Sequence, residues 1–191
     1  MTKNRLEGFS DGVMAVIITI MVLEMKVPHG ADVAALLPLT PVFISYLLSF
    51  VFIGVYWNNH HHLLHAAQHV NGRVLWANLH LLFWLSLIPF VTGWMGENDF
   101  AAVPVAFYGI VQLLAGFAFF ILARSLVATH GRDSALAKAI GRDFKGKASL
   151  VVYVIAVPVA FIDPAVAFVL YVVVAAVWLV PDRRIERALA P

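Results

Sequence analysis

Apolar positions gather along the chain into six long runs separated by short polar segments: 9–25, 42–59, 74–95, 101–123, 149–162 and 164–180. A hydrocarbon core of roughly 30 Å is crossed by about 20 apolar residues in a helix. The six runs come near that length and predict membrane-spanning helices, the last two being short. Those two are divided only by Ile162, Asp163 and Pro164, and Pro164 cannot continue the preceding hydrogen-bond ladder. Two thin spans and one re-entrant hairpin both fit the pair, and both return the C terminus to the same side.

Composition strengthens this reading. With 62% hydrophobic residues, 13% charged ones and a mean hydropathy of +0.88, a chain of 191 residues has more apolar surface than one soluble core could hide. The prediction is an all-α integral membrane protein, a single unit over 1–191 with six transmembrane helices. There is no cysteine, which excludes disulfides, thiolate metal sites and cysteine nucleophiles. The first apolar run is followed by Glu24, Met25 and Lys26 and not by a small-residue cleavage site, so it is expected to be a retained first helix.

Charge gives the expected orientation. With a cytoplasmic N terminus, that side collects Lys3, Arg5, Arg73, Arg124, Arg132, Lys138, Arg142, Lys145, Lys147, Arg183, Arg184 and Arg187, twelve of the thirteen Lys and Arg. Only Lys26 lies opposite, so both termini are expected in the cytoplasm of a multi-pass cell-membrane protein. The segment 125–148 contains "SALAKAIGRDFKGK", whose basic residues interleaved with Ala, Leu and Ile predict a short helix on the anionic inner leaflet. A plain positive-inside anchor accounts for the same charges. The opposite loops carry Asp32, Glu97, Asp99 and Asp163, which make either a mildly acidic mouth for a cation path or ordinary solvated loop charges.

Enzyme signatures are missing: the chain has no Gly-rich phosphate loop, no nucleophile elbow and no helical His-Glu-x-x-His. Nor is there a Thr-Val-Gly-Tyr-Gly potassium filter. No cofactor, resident metal or nucleic-acid partner is expected. The run "WNNHHHLLHAAQHVNGR" places His61, His65 and His69 at i, i+4 and i+8, which reads as a metal face, as a proton sensor, or simply as a polar helix end leaving the membrane.

Other polar insertions point toward one leaflet. Arg5, Ser10 and Asp11 begin the first run, His60 ends the second and Asn78 begins the third, so alternating helices bring them to neighbouring ends. Polar groups at membrane depth are costly unless paired, and this arrangement lets them satisfy one another as a latch. Asp11 as an ion-binding carboxylate is the competing account.

Arg5, Phe9, Ser10, Asp11 and Gly12 resemble the Arg-x-x-x-Phe-Ser-Asp signature of the lysosomal potassium channel family of transmembrane protein one-seventy-five and its prokaryotic relatives. Trp57 with His60, and Asn78 with Pro89, extend the likeness through the first three spans, while the last three match in hydropathy alone. The resemblance implies a potassium-preferring cation channel and, for a one-unit chain, a homotetramer whose central pore is lined by the first helix. It implies permeant K⁺, apolar pore layers at Val16, Ile20 and Leu23, and a hydroxyl layer at Thr19. It implies a polar network at the helix ends comprising Arg5, Phe9, Ser10, Asp11, Trp57, His60 and Asn78. Val16 departs from the family's more frequent Ile or Leu and makes a wider ring, which moves the expected gate toward Ile20 or Leu23.

Two other classes compete. A secondary transporter would use helices broken at Pro89 and Pro158 around a polar midplane site, but no inverted repeat accompanies them. A metal or haem enzyme would use the histidine run.

Overall fold

The computed structural model of the chain describes residues 2–131, 134–141 and 143–180. Among the described residues eight α-helices follow one another: α1 Lys3–Leu23, α2 Thr40–His65, α3 Gly72–Ser86, α4 Ile88–Glu97, α5 Ala102–His130, α6 Ala135–Ile140, α7 Phe144–Val159 and α8 Pro164–Leu179, with a 3₁₀ helix, Val33–Leu39, before α2. Helix starts follow local chemistry. The Asn71 side chain accepts from the Val74 amide, Asp143 from Gly146, and Asp163 from both Ala165 and Val166, so free N–H groups of the first turns of α3, α7 and α8 are satisfied. Pro41 and Pro164 occupy first-turn positions of α2 and α8, where the missing N–H costs nothing.

Among the described residues four segments are long and apolar enough to cross a membrane: Lys3–Leu23, Val33–His65, Gly72–Glu97 and Ala102–His130. The predicted run 74–95 is two helices, not one. Pro89 has no N–H to give to Leu85, so the chain steps at Leu87, whose own amide tightens onto the Trp84 carbonyl at 3.2 Å. The first helix ends at Leu23 and not at 25, and it begins six residues before the predicted 9. Helices α7 and α8 have 16 residues each, roughly 24 Å of rise, and a short turn folds one back on the other.

The predicted surface helix over 134–147 is also divided. Gly141 takes φ +53°, which ends α6, and Asp143 takes φ +39° before Phe144 opens α7. Lys145 and Lys147 therefore belong to the first turn of α7, and Lys145 Nζ caps α8 by donating to the Val180 carbonyl at 2.9 Å. The basic residues Arg132, Arg142, Arg183, Arg184 and Arg187, and the C-terminal end whose side was inferred from charge, lie outside the described residues.

Helix α5 is the hub, packed against α3, α4, α7 and α8, while α1 sits at one side against α2, α3 and α4. Two glycines let helices approach closely. A Cβ on Gly109 would collide with the Tyr171 hydroxyl, and one on Gly96 would stand 2.7 Å from the backbone Cα of Val42. Inside the packing, Ser49 of α2 meets the Thr92 hydroxyl of α4 at 2.7 Å and the Tyr108 hydroxyl of α5 at 3.1 Å. Gln112 donates to Tyr108 at 3.1 Å, so three helices share one buried polar chain.

Gly96→Ala is expected to destabilise the fold by about 1–3 kcal/mol, since the facing contact is backbone that cannot rotate away. Gly93→Ala, whose Cβ meets nothing within 4 Å, is expected to leave the thermal midpoint in detergent unchanged or slightly raised.

Candidate functional site

Helix α1 has two faces. Leu6, Ser10, Met14, Ile17 and Met21 recur at steps of three and four and are buried against the rest of the protein. Val16 is 54% exposed, Ile20 39% and Leu23 80%, and Thr19 is exposed on the same outward side. The Thr19 hydroxyl donates to the Val16 carbonyl at 2.9 Å, which leaves its oxygen free to accept or coordinate. An apolar groove of about 970 Å³ runs beside this side of α1, with Val16, Ile20 and Phe9 on one wall and Pro89, Phe90 and Trp94 on the other.

The seven residues assigned from sequence to one network divide into three groups. Ser10, His60 and Asn78 are fully buried and joined. The Asn78 amide donates to Ser10 Oγ at 2.9 Å, and its oxygen faces His60 Nε2 at 2.8 Å. Because an amide oxygen only accepts, His60 Nε2 carries the hydrogen and Nδ1 is left as a bare acceptor, with no partner among the described residues. Ser10 in turn donates to the Leu6 carbonyl at 2.9 Å. One amide thus ties α1 to α3 and α3 to α2.

Asp11 and Trp57 form a second group. Trp57 Nε1 donates to Asp11 Oδ1 at 3.0 Å at the exposed rim, apart from the buried relay. Arg5 and Phe9 are in neither group: each lies one residue before a buried position, about 100° around the helix, and both side chains point outward. Arg5 makes no hydrogen bond or ion pair among the described residues.

Three contacts were not foreseen. Glu7 Oε1 lies 3.1 Å from His61 Nδ1, whose ring stacks on Trp57 at 6.2 Å between centroids. At the other end of α1, Lys26 pairs with Glu97 at 3.0 Å. Nothing local in the sequence signalled either ion pair. The third concerns His69, because α2 ends at His65 and the chain turns away, so His69 leaves the expected stripe and lies against His130 with ring centroids 4.5 Å apart. Among the described residues no three His, Asp or Glu side chains are grouped to hold a metal ion.

Asn78→Leu should lower stability by about 1–3 kcal/mol, since it strands the His60 imidazole and the Ser10 hydroxyl away from water. Asp11→Asn keeps an acceptor for Trp57 and should cost less than about 1 kcal/mol. Thermal unfolding in detergent ranks the two, and equal losses would contradict the division into a buried and a rim group.

Comparisons with known proteins bear on the same helices. The profile of a family described as endosomal/lysosomal potassium channel TMEM175 matches residues 5–89, from Arg5 on α1 to Pro89 on α4. A protein named potassium channel from Chryseobacterium sp. (strain P1-3) is 51% identical over 189 residues, covering 99% of this chain and 98% of that protein. The human endosomal/lysosomal proton channel TMEM175 is 35% identical over 96 residues, which are 44% of this chain and 19% of the human one. The crystal structure of a lysosomal potassium-selective channel TMEM175 homolog from Chamaesiphon minutus superposes with a TM-score of 0.80 at 27% identity, covering 98% of both chains. With a relative matched over its whole length and a shared fold, this chain is a multi-pass membrane protein that belongs to the TMEM175 potassium channel family, a family of ion channels and not of enzymes.

Proposed function

We propose that the chain is one six-span subunit of a homotetrameric, potassium-preferring cation channel in the cell membrane, with α1 of each copy lining a central pore. The observation that carries this reading is the outward stripe of α1: Val16, Thr19, Ile20 and Leu23 are exposed on the subunit although their helix is anchored firmly on its opposite side. A single chain has one such helix, so an enclosed path needs several chains around an axis. In this reading α7 and α8 both cross, both termini are cytoplasmic, and the basic residues around α6 and the start of α7 meet anionic inner-leaflet headgroups.

The mechanism follows from size and hydration. Rings of Ile20 and Leu23 expel water when narrow, which stops ions without any plug, and the wider Val16 ring stays wet longer. When the rings widen, a cation passes by giving up part of its hydration shell, a smaller loss for K⁺ than for Na⁺. Four Thr19 oxygens supply a polar layer between the apolar ones. The buried Ser10–Asn78–His60 relay holds the helix that carries the rings and does not itself meet the ion. No cofactor is required; the permeant ion is the substrate.

Native mass measurement in mild detergent should give a tetramer, and a monomer that conducts would overturn the reading. In recordings with K⁺ and Na⁺ on opposite sides, Ile20→Asn or Leu23→Asn should raise conductance several-fold and reduce potassium preference. Val22→Asn, about 100° around the helix from Leu23, should mainly lower expression. Thr19→Val should reduce potassium preference while leaving assembly intact. Unchanged currents in all the stripe variants, with Val22→Asn altering permeation, would place the pore on another face of α1.

A further inference from the structure

The segment joining α2 to α3, residues 66–71, is fastened to the last turn of α5. His130 Nε2 lies 2.9 Å from the backbone nitrogen of Gln68 and 3.4 Å from that of His69. Its other ring nitrogen, Nδ1, lies 2.9 Å from the Leu126 carbonyl oxygen. These partners fix the tautomer. A carbonyl only accepts, so Nδ1 carries the hydrogen; a backbone amide only donates, so Nε2 must offer its lone pair. Neither role can be exchanged, and the neutral ring is the form that makes both bonds. Asn71 adds a second tie, its Nδ2 donating to Thr129 Oγ1 at 3.0 Å while Thr129 donates to the Ser125 carbonyl.

Among the described residues no Asp or Glu forms an ion pair with His130. The His69 ring packs against His130, and the other titratable or charged groups at this end of the neighbouring elements are His61, His62 and His65 on α2, Arg73 and His80 on α3, Arg124 on α5, Lys138 on α6, and Asp143, Lys145 and Lys147 at the start of α7, where the Asp143 carboxylate is taken up by the Gly146 amide. Helices α2, α3, α5 and α6 contain no Asp or Glu. Arg132 and Asp133 follow His130 in sequence and lie outside the described residues.

We propose that His130 is a proton-operated clasp: acidification adds a hydrogen at Nε2, turns the two amide contacts from attraction to repulsion, and frees the α2–α3 segment from α5. An imidazole titrates within the range over which cellular pH moves. The stabilising contact is present with the neutral ring and is lost as pH falls. The freed segment joins the end of α2 that carries His60 to the start of α3 that carries Asn78, so its release slackens the mounts of the relay that holds α1. That acidification on this side alters ion flow rests on the channel reading above; the clasp itself does not.

The test is hydrogen exchange on the full chain in lipid nanodiscs, with protection of the Gln68 and His69 amides corrected for the intrinsic pH dependence of exchange. Wild type should lose about tenfold or more of this protection between about pH 7.5 and about pH 5.5, while α5 core amides keep theirs. His130→Ala should show the low value at both pH values, and His69→Ala should keep the pH dependence. Equal wild-type protection at both pH values overturns the clasp, as does a pH dependence that survives in His130→Ala or disappears in His69→Ala. Potassium flux in vesicles separates the two readings: exchange as expected with no flux in any preparation sinks the channel and leaves the clasp, and flux with flat exchange does the reverse.

Discussion

Everything that α1 presents outward depends on one primary amide. Asn78 gives a hydrogen to Ser10 and takes one from His60, using its two ends on two different helices. A hydroxyl, which can turn, would not fix the rotation of α1 so narrowly, and an apolar side chain would leave both partners unsatisfied in a region without water to replace them. Rotation of a helix by one residue moves a side chain about 100°, so the relay that points Ser10 inward also decides that Val16 and Ile20 point away. The inward polar contact and the outward apolar stripe are two results of the same constraint.

The rest of the subunit behaves as a rigid mount. The glycine contacts at Gly96 and Gly109 bring backbones close, and the Ser49–Thr92–Tyr108–Gln112 chain pins α2, α4 and α5 to each other with bonds that have no aqueous alternative. Such a body resists deformation because its helices are interlocked by shape as well as by hydrogen bonds. By contrast α1 buries one stripe, and the contacts at its two rims, Trp57 with Asp11 and Lys26 with Glu97, are exposed.

The sequence made the first four spans legible, because long apolar runs with polar ends leave few choices in a bilayer. It also made Ser10, His60 and Asn78 legible as partners, since helix alternation alone brings those ends together. Arg5 and Phe9 entered the expected network with the signature that contains them, but a signature groups residues along the chain, and on a helix neighbours in sequence face different directions, so both side chains point away from the buried relay. The break at Leu87 was hidden in a run that is apolar throughout, where Pro89 could equally have sat in a continuous kinked helix. The His69–His130 contact was out of reach because it joins positions 61 residues apart across a turn whose path no local pattern encodes. Gly96 and Gly109 look like any glycine until the facing helix is known.

Helix α1 is held at both ends by one other segment. Asn78 on α3 grips it near the start, Glu97 at the end of α4 grips Lys26 just beyond its finish, and between these two grips α3 and α4 step at Leu87. Mechanically this is a bow and its string. The α3–α4 rod is the stave, jointed near its middle, and α1 spans the chord between its tips. Because α2 and α5 clamp the stave on both sides of the joint, the chord keeps its length and α1 is held stretched along it. The exposed ion pair is the weaker of the two grips, so the Leu23 end of α1 is the end that gives way first and the Ser10 end the one that stays.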